Sequence, residues 1–161
     1  PSSDNQYIYN HGHAAIFNLR YTQKGLGILL SGKSVDNMSF RSDRTKDLQD
    51  VFINYLPSLN KTHTYNLVAT LYPYATQPLG EVAYQTDVLY TFKKGTKLGG
   101  KYGTTIGGNF STTYRPQQST AGINALDSTG VTYVCRPFQA SDSMYWQDIN
   151  FNITKKFTKK F

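Results

Sequence analysis

Residues 81–115, EVAYQTDVLYTFKKGTKLGGKYGTTIGGNFSTTYR, decide the fold class of this chain. From Val82 to Phe92 every second residue is aromatic or β-branched, which is the period-two pattern of a strand with one apolar face. The alternation resumes after the short turn at 94–96 and continues to Arg115, so the stretch predicts a hairpin. A three-residue turn would pair Phe92 with Leu98, Val88 with Tyr102 and Tyr84 with Ile106, with Asp87 diagonal to Lys101.

The predicted second strand, residues 98–115, is much longer than the strands of most globular proteins, which cluster near 5 to 6 residues. Aromatic residues make up 14% of the 161-residue chain and include 13 tyrosines. We find no helical stripe longer than two turns, and no shift in composition indicates a second domain. These observations predict one all-β unit.

Short and long connections alternate along the chain, which is typical of an antiparallel up-and-down meander. We predict about 7–8 long strands. The segments that show the alternation are 14–22, 26–33, 51–56, 63–72, 81–92, 98–115 and 143–154, with a smaller candidate at 131–135.

Long strands with one apolar face, one small and polar face, and aromatics near the strand ends are typical of a transmembrane β-barrel. A barrel must close so that every backbone amide in lipid is paired. Single-chain bacterial barrels have an even number of strands, at least eight, so seven strands do not complete one. We therefore expect residues 1–161 to be one segment of a larger barrel, incomplete at both ends. The lipid-facing candidates are Phe17, Leu19, Tyr84, Val88, Tyr90, Tyr102, Ile106 and Phe110. The lumen-lining candidates are Arg20, Lys33, Gln85, Asp87, Lys101, Asn109, Arg115, Asp148, Asn150 and Asn152, which would either tune a channel or form an inert hydrated wall.

The formal net charge is +7, from 17 basic and 10 acidic residues. Most of the lysines lie at the short turns, and no strand face shows lysines interleaved with aromatics, so the charge does not indicate nucleic-acid binding. No apolar run approaches the roughly 20 residues of a transmembrane helix. The turn lysines are Lys24, Lys61, Lys93, Lys94, Lys97, Lys155, Lys156, Lys159 and Lys160.

Four features that suggest active-site chemistry have simpler interpretations. Residues 27–34, GILLSGKS, fit the P-loop expression, but they lie inside a strand pattern and no helix start follows. His11 and His13 lack further ligands and are expected in a solvated loop, and Cys135 has no histidine partner nearby. The acidic residues have no apolar pocket that would raise a pKa, so glycosidase chemistry is not indicated. The acidic residues in predicted polar loops are Asp36, Asp43, Asp47, Asp50 and Glu81.

Three segments, residues 13–21, 33–44 and 94–103, resemble a porin-like family of Gram-negative outer-membrane β-barrel proteins. The resemblance covers most of the chain and corresponds to an internal part of a longer family member. It implies a bacterial outer-membrane location and brings no functional residues with it.

We therefore expect a non-enzymatic, porin-like barrel segment without cofactors. It would pass small polar solutes, or serve as a structural or partner-binding barrel, with the lipid bilayer and the remainder of its own barrel or other outer-membrane chains as partners. The alternative is a secreted β-sandwich that binds glycans, with exposed tyrosines and Trp146 as stacking platforms, because sandwiches show the same alternation.

Overall fold

A computed structural model describes residues 12–43, 51–63, 74–119 and 133–158 of the chain. They form one open five-stranded antiparallel sheet in which each strand pairs with the next along the sequence. The up-and-down meander and the all-β class are thus confirmed. The strands are β1 (His13–Gln23), β2 (Leu26–Asp36), β3 (Gly80–Phe92), β4 (Thr104–Ser119) and β5 (Val134–Lys155).

The strand count differs from the prediction in the middle of the chain. Residues 51–56 were predicted as a strand, and this is wrong, because their only ladder contact is an isolated bridge between Arg41 and Phe52. The Asn54 side-chain amide donates instead to the carbonyl of Met38 at 2.8 Å, which holds the segment in a loop conformation. The predicted strand 63–72 lies almost entirely outside the described residues. The predicted strand 143–154 and the last two residues of the predicted strand 131–135 belong to one strand, β5, which has 22 residues. Residues 131 and 132 lie outside the described residues.

The hairpin of β3 and β4 exists, but its predicted register is wrong. Phe92 pairs with Thr104 rather than Leu98, and Val88 pairs with Gly108 rather than Tyr102. Each partner lies six residues further on, because 93–103 folds into a compact turn. The Gly95 amide donates to the Gly100 carbonyl at 2.8 Å in this turn.

The turn depends on backbone angles that glycine adopts without strain. Gly95, Gly100 and Gly103 all have positive φ values, which a β-carbon disfavours. A shift of six residues is even, so it leaves every side chain on its predicted face. It also removes Lys101 and Tyr102 from the sheet, and it places Asp87 opposite Asn109.

The polar face of the sheet contains most of its fully buried side chains, and the apolar face contains strongly exposed ones. On the polar face Lys33, Glu81 and Thr113 are fully buried. On the apolar face Phe151 is 80% exposed and Ile153 is 74% exposed. A water-soluble sheet with one solvated face normally buries its apolar side, and this sheet does not.

The polar face is buried because residues 51–63 and 74–79, the covering segments, lie against it. Lys33 Nζ donates to the Pro57 carbonyl at 2.7 Å and to the Thr76 hydroxyl at 2.7 Å. His63 contacts Asp148 of β5. The polar face is therefore covered by loop segments rather than by a second sheet or a helix in the described part of the chain.

The first half of β5 bends over the apolar face at the end that carries the long connections. Register shifts between 113 and 118 of β4 mark the bend. Phe138 has a φ of 62°. Its amide donates to the Ser34 hydroxyl at 3.1 Å, and its carbonyl accepts from the Tyr84 hydroxyl at 2.6 Å. On β3 and β4 the exposed apolar side chains of this face, Val88, Tyr90, Ile106 and Phe110, therefore lie nearer the short turns.

Candidate functional site

The candidate site is the polar face of the sheet with its covering segments. Strand alternation and the observed register place eight of the ten predicted lumen residues on this face. Lys101 is in the β3–β4 turn, and Arg115 lies at the β4 bulge, where it donates to Gln118 at 2.6 Å. Their role as a lumen lining stays a prediction. The eight are Arg20, Lys33, Gln85, Asp87, Asn109, Asp148, Asn150 and Asn152.

A fully buried ion pair lies at the centre of the covered region. Lys33 Nζ of β2 is 2.6 Å from Glu81 Oε1 of β3, and neither side chain is accessible to solvent. The two other protons of the ammonium group are donated to the Pro57 carbonyl and the Thr76 hydroxyl. A buried charge is tolerated when it is paired and its remaining hydrogen-bonding capacity is satisfied, and Lys33 meets both conditions.

Lys33 and Ser34 are the last two residues of the segment that fits the P-loop expression. In the structure this segment is not a loop. All of residues 27–34 lie within β2, where their backbone is paired on both sides. A P-loop needs free backbone amides in a loop before a helix, so residues 27–34 do not form a P-loop, and the prediction that they belong to a strand is confirmed.

The other carboxylate oxygen of Glu81 holds the second covering segment. Tyr74 donates its hydroxyl to Glu81 Oε2 at 2.5 Å, and the backbone amide of Gln77 donates to the same oxygen at 2.8 Å. The Tyr74 ring stacks on Trp146 with centroids 5.8 Å apart. Burial, and then the hydrogen bond to the Glu81 carboxylate, raises the pKa of Tyr74 above its usual range. The phenol therefore keeps its proton and remains a hydrogen-bond donor to Glu81 at physiological pH.

We expect Tyr74→Phe to lower the free energy of unfolding by about 1.5–3 kcal/mol, because it removes a hydrogen bond to a charged acceptor and keeps the stacked ring. Chemical unfolding of the refolded protein measures this. Tyr55→Phe is the matched control, since Tyr55 is 87% exposed and its hydroxyl is solvated. Equal stability of the two variants would contradict the assigned role of Tyr74.

A second contact joins the covering segments to β5. His63 Nε2 lies 2.9 Å from Asp148 Oδ2, and Asn150 Nδ2 lies 3.5 Å from His63 Nδ1. Both partners come from the polar face of β5, two residues apart, because strand alternation returns side chains to the same face. The covering segments are thus held at both β2–β3 and β5.

The part of the polar face nearer the short turns stays open. A cavity of about 440 Å³ lies there, and its charged lining consists of Arg20, Lys61 and Asp87. Asp87 accepts from Asn109 Nδ2 at 2.8 Å and from Gln85 Nε2 at 2.9 Å. The cavity presents charges of both signs beside this hydrogen-bonded wall, together with apolar side chains that include Leu29 and Leu89.

A second cavity, of about 570 Å³, lies between the covering segments. Its lining combines aromatic rings with amide side chains, and the guanidinium of Arg41 lies 4.7 Å from the centroid of one of these rings. The rings belong to Phe52, Tyr55 and Tyr74, and the amides to Asn54 and Gln77.

The apolar face carries seven of the eight predicted lipid-facing residues. Tyr102 is in the turn instead, and Tyr84 is half-buried under the bend of β5. Their contact with lipid stays a prediction. The seven are Phe17, Leu19, Tyr84, Val88, Tyr90, Ile106 and Phe110.

Sequence reasoning missed the residues that fix the covering segments. Glu81 and Asp36 were assigned to polar loops, and this is wrong, because both belong to strands and are buried. Strand alternation puts Glu81 on the same face as Asp87, and that signal was present in the sequence. The contact of Tyr74 had no such signal, because Tyr74 lies in a loop without periodicity. His63 was placed at the start of the predicted strand 63–72, so its contact with β5 was not expected.

The described residues contain no cluster of three potential metal ligands, and they contain no helix long and apolar enough to cross a membrane. No curated protein and no solved structure matches the chain. The model of one protein family matches residues 1–161, and its description is a family of unknown function (DUF6029).

Proposed function

The chain belongs to DUF6029, a family of unknown function, and we propose that it forms part of the wall of a porin-like transmembrane β-barrel in the bacterial outer membrane. The observation that carries the proposal is the reversed burial of the sheet. Its apolar face is open while its polar face holds a fully buried ion pair. A barrel wall in lipid has this arrangement, with apolar side chains outward and polar side chains inward.

The dimensions of the sheet suit a bilayer. Membrane-spanning strands need about 9–11 residues, and the five strands have between 11 and 22. On β3 the apolar face runs from Tyr84 to Phe92, which is about 26 Å along the strand. Strand tilt shortens this to about 20 Å in projection, compared with an apolar band about 25 Å tall in known barrels. The longer strands β4 and β5 extend beyond this band at the end where β5 bends.

Five strands leave two open edges, β1 and β5. In hydrocarbon each unpaired backbone group is unfavourable by several kcal/mol, so the sheet must be continued until it closes. We propose that the remaining strands come from the rest of the same barrel or from other outer-membrane chains. The predicted total of about 7–8 strands within residues 1–161 belongs to this proposal.

The polar face supports a non-enzymatic role. The open cavity on this face is lined by charges of both signs. The covering segments, which the Lys33–Glu81 pair holds against the sheet, narrow the space beside the cavity. Passage of small polar solutes along this wall is the function that the geometry supports best. A purely structural or partner-binding barrel would show the same sheet without conductance.

Site-directed labelling tests the barrel. In a Cys135→Ser background, single cysteines at Val88 and Leu89 place an environment-sensitive dye on opposite faces of β3. We expect blue-shifted emission and quenching by brominated lipid at 88 but not at 89 in proteoliposomes. Equal spectra at the two positions would refute the lipid-facing assignment.

Conductance of the full-length protein in planar bilayers tests passage of solutes. Stepwise current that changes its ion preference on replacing Asp87 with asparagine would support a channel. Insertion without current would leave the structural barrel as the function.

One observation favours the secreted glycan-binding alternative, the cavity of about 570 Å³ lined by rings and amides. Aromatic faces with nearby amides are suited to stacking and hydrogen bonding of a sugar. Under this alternative the protein remains monodisperse without detergent and binds oligosaccharides, and Tyr55→Ala weakens that binding. The exposed apolar face disfavours it, because a sandwich covers that face with a second sheet.

A further inference from the structure

The charges of this sheet are unevenly distributed between its two ends. The turn end consists of residues 24–25, 93–103 and 155–158, which the antiparallel order brings together at one end of the sheet. It carries seven lysines and no acidic residue, and all seven lysines are exposed. They are Lys24, Lys93, Lys94, Lys97, Lys101, Lys155 and Lys156.

The opposite end of the sheet differs from the turn end in the types of charged residue and in the sign of their charges. Its described residues include both acidic and basic groups. The basic groups there are arginines and Lys33, which is buried and paired with Glu81. A general excess of positive charge would affect both ends, so the accumulation at the turn end is a local feature. The acidic residues are Asp36, Asp43, Glu81 and Asp142, and the arginines are Arg41, Arg115 and Arg136.

The lysines of the turn end come from segments that pack together. The Lys155 side chain lies 3.8 Å from the position that a β-carbon on Gly100 would occupy, so β5 ends against the β3–β4 turn. Within the β3–β4 turn, the Lys94 side chain lies 3.7 Å from the position that a β-carbon on Gly103 would occupy. No lysine of the turn end forms a salt bridge within the described ranges. Like charges held close together repel one another, and an anionic partner would relieve that repulsion.

Aromatic rings accompany these lysines. Lys101 Nζ lies 5.7 Å from the ring centroid of Tyr102, and Lys155 Nζ lies 5.6 Å from that of Phe157. Tyr90 and Phe92 form an edge-to-face pair with centroids 4.9 Å apart, where the apolar face meets the turn end. Aromatic rings and lysines bordering an apolar band are characteristic of the headgroup level of a bilayer.

We propose that the turn end binds the phosphate groups of anionic phospholipids in the leaflet that borders the short turns. This inference rests on the proposed barrel, because the apolar face must lie in the acyl chains for the lysines to reach headgroup depth. An anionic headgroup is attracted by each lysine near the surface. Nucleic acid is the less suitable partner, because it would leave the adjoining apolar face uncovered.

The test measures lipid selectivity of the protein in phosphatidylcholine bilayers at low ionic strength. The readout is the association constant of spin-labelled phosphatidylglycerol relative to spin-labelled phosphatidylcholine. We expect phosphatidylglycerol to be preferred by the unmodified protein. Lys94→Gln with Lys97→Gln should lower the preference by about fivefold for each lysine, and added salt should weaken it.

Arg115→Gln with Arg136→Gln is the matched control, since it removes the same charge from the opposite end and should leave the preference unchanged. No preference in the unmodified protein, or an equal loss in both double variants, would overturn the proposal. So would a lysine-dependent affinity for a labelled single-stranded oligonucleotide without any lipid preference.

The dye at residue 88 separates the two hypotheses. Insertion into pure phosphatidylcholine without lipid selectivity refutes the turn-end proposal and leaves the barrel intact. Failure to insert refutes the barrel and, with it, the lipid site.

Discussion

Replacing Glu81 with leucine should lower the free energy of unfolding by about 3–5 kcal/mol, the range for removing one partner of a buried ion pair. The variant leaves the Lys33 ammonium group buried beside Pro57 and Thr76 without a counter-charge. It also removes the acceptor of the Tyr74 hydroxyl and the Gln77 amide. Urea unfolding of the protein refolded in detergent micelles measures the loss, and proteolysis should become faster within 74–79.

The double variant Lys33→Met with Glu81→Leu is the control that separates charge from packing. Replacing both partners with apolar side chains removes the uncompensated charge, so the part of the loss that comes from the unpaired ammonium group should return. The part that comes from the lost acceptor of Tyr74 and Gln77 should remain. Glu81→Gln should fall between the wild type and the leucine variant, because its amide oxygen still accepts a hydrogen bond. A double variant as unstable as Glu81→Leu would show that the ion pair is not what holds the covering segments.

Replacing Val88 with arginine should lower stability in a bilayer by about 2–4 kcal/mol, the effect measured for a lipid-facing arginine at the midplane of a barrel. Val88 lies midway between Tyr84 and Phe92 on the apolar face of β3. Its side chain is 38% exposed in the sheet, so the same substitution in water would have almost no effect. Unfolding in phospholipid bilayers is the measurement.

Leu89→Arg is the matched control for this experiment. Leu89 is the next residue of β3, is 50% exposed and lies on the polar face beside the cavity with Asp87. Its arginine should be hydrated and tolerated. Equal stability of the two variants in the bilayer would place both faces in water and favour the glycan-binding alternative.

The sequence allowed the face on which each side chain lies to be predicted better than the residue with which it pairs across the hairpin. The predicted pairing of Phe92 with Leu98 was wrong by six residues, yet Tyr84, Val88 and Phe110 lie on one face as predicted. Side-chain direction depends on whether a residue number is odd or even, so it survives any even register shift. The register itself depends on how residues 93–103 fold, and their glycines allow several backbone paths.

The polar contacts of the candidate site could not be predicted from the sequence, and the reason is different. Lys33 and Glu81 meet because the register of β2 and β3 makes them diagonal neighbours, with Lys33 opposite Ala83. Tyr74 and His63 reach the sheet from the covering segments, which are not part of it. Residues 51–56 imitate a strand because Val51, Ile53 and Tyr55 alternate. In the structure Tyr55 is left in solvent, so the alternation there reflects no ladder.

The bend in β5 affects the order in which the parts of the sheet unfold. A phenylalanine with φ of 62° adopts a left-handed backbone conformation that disfavours side chains by about 1–2 kcal/mol. Three contacts hold it there, from Ser34, from Tyr84 and from the Phe17 ring at 5.4 Å. Two of these come from β1 and β2, so separation of the first hairpin would release the strain. The bend of β5 would then straighten early, and opening would spread from the N-terminal strands to this distant part of the chain.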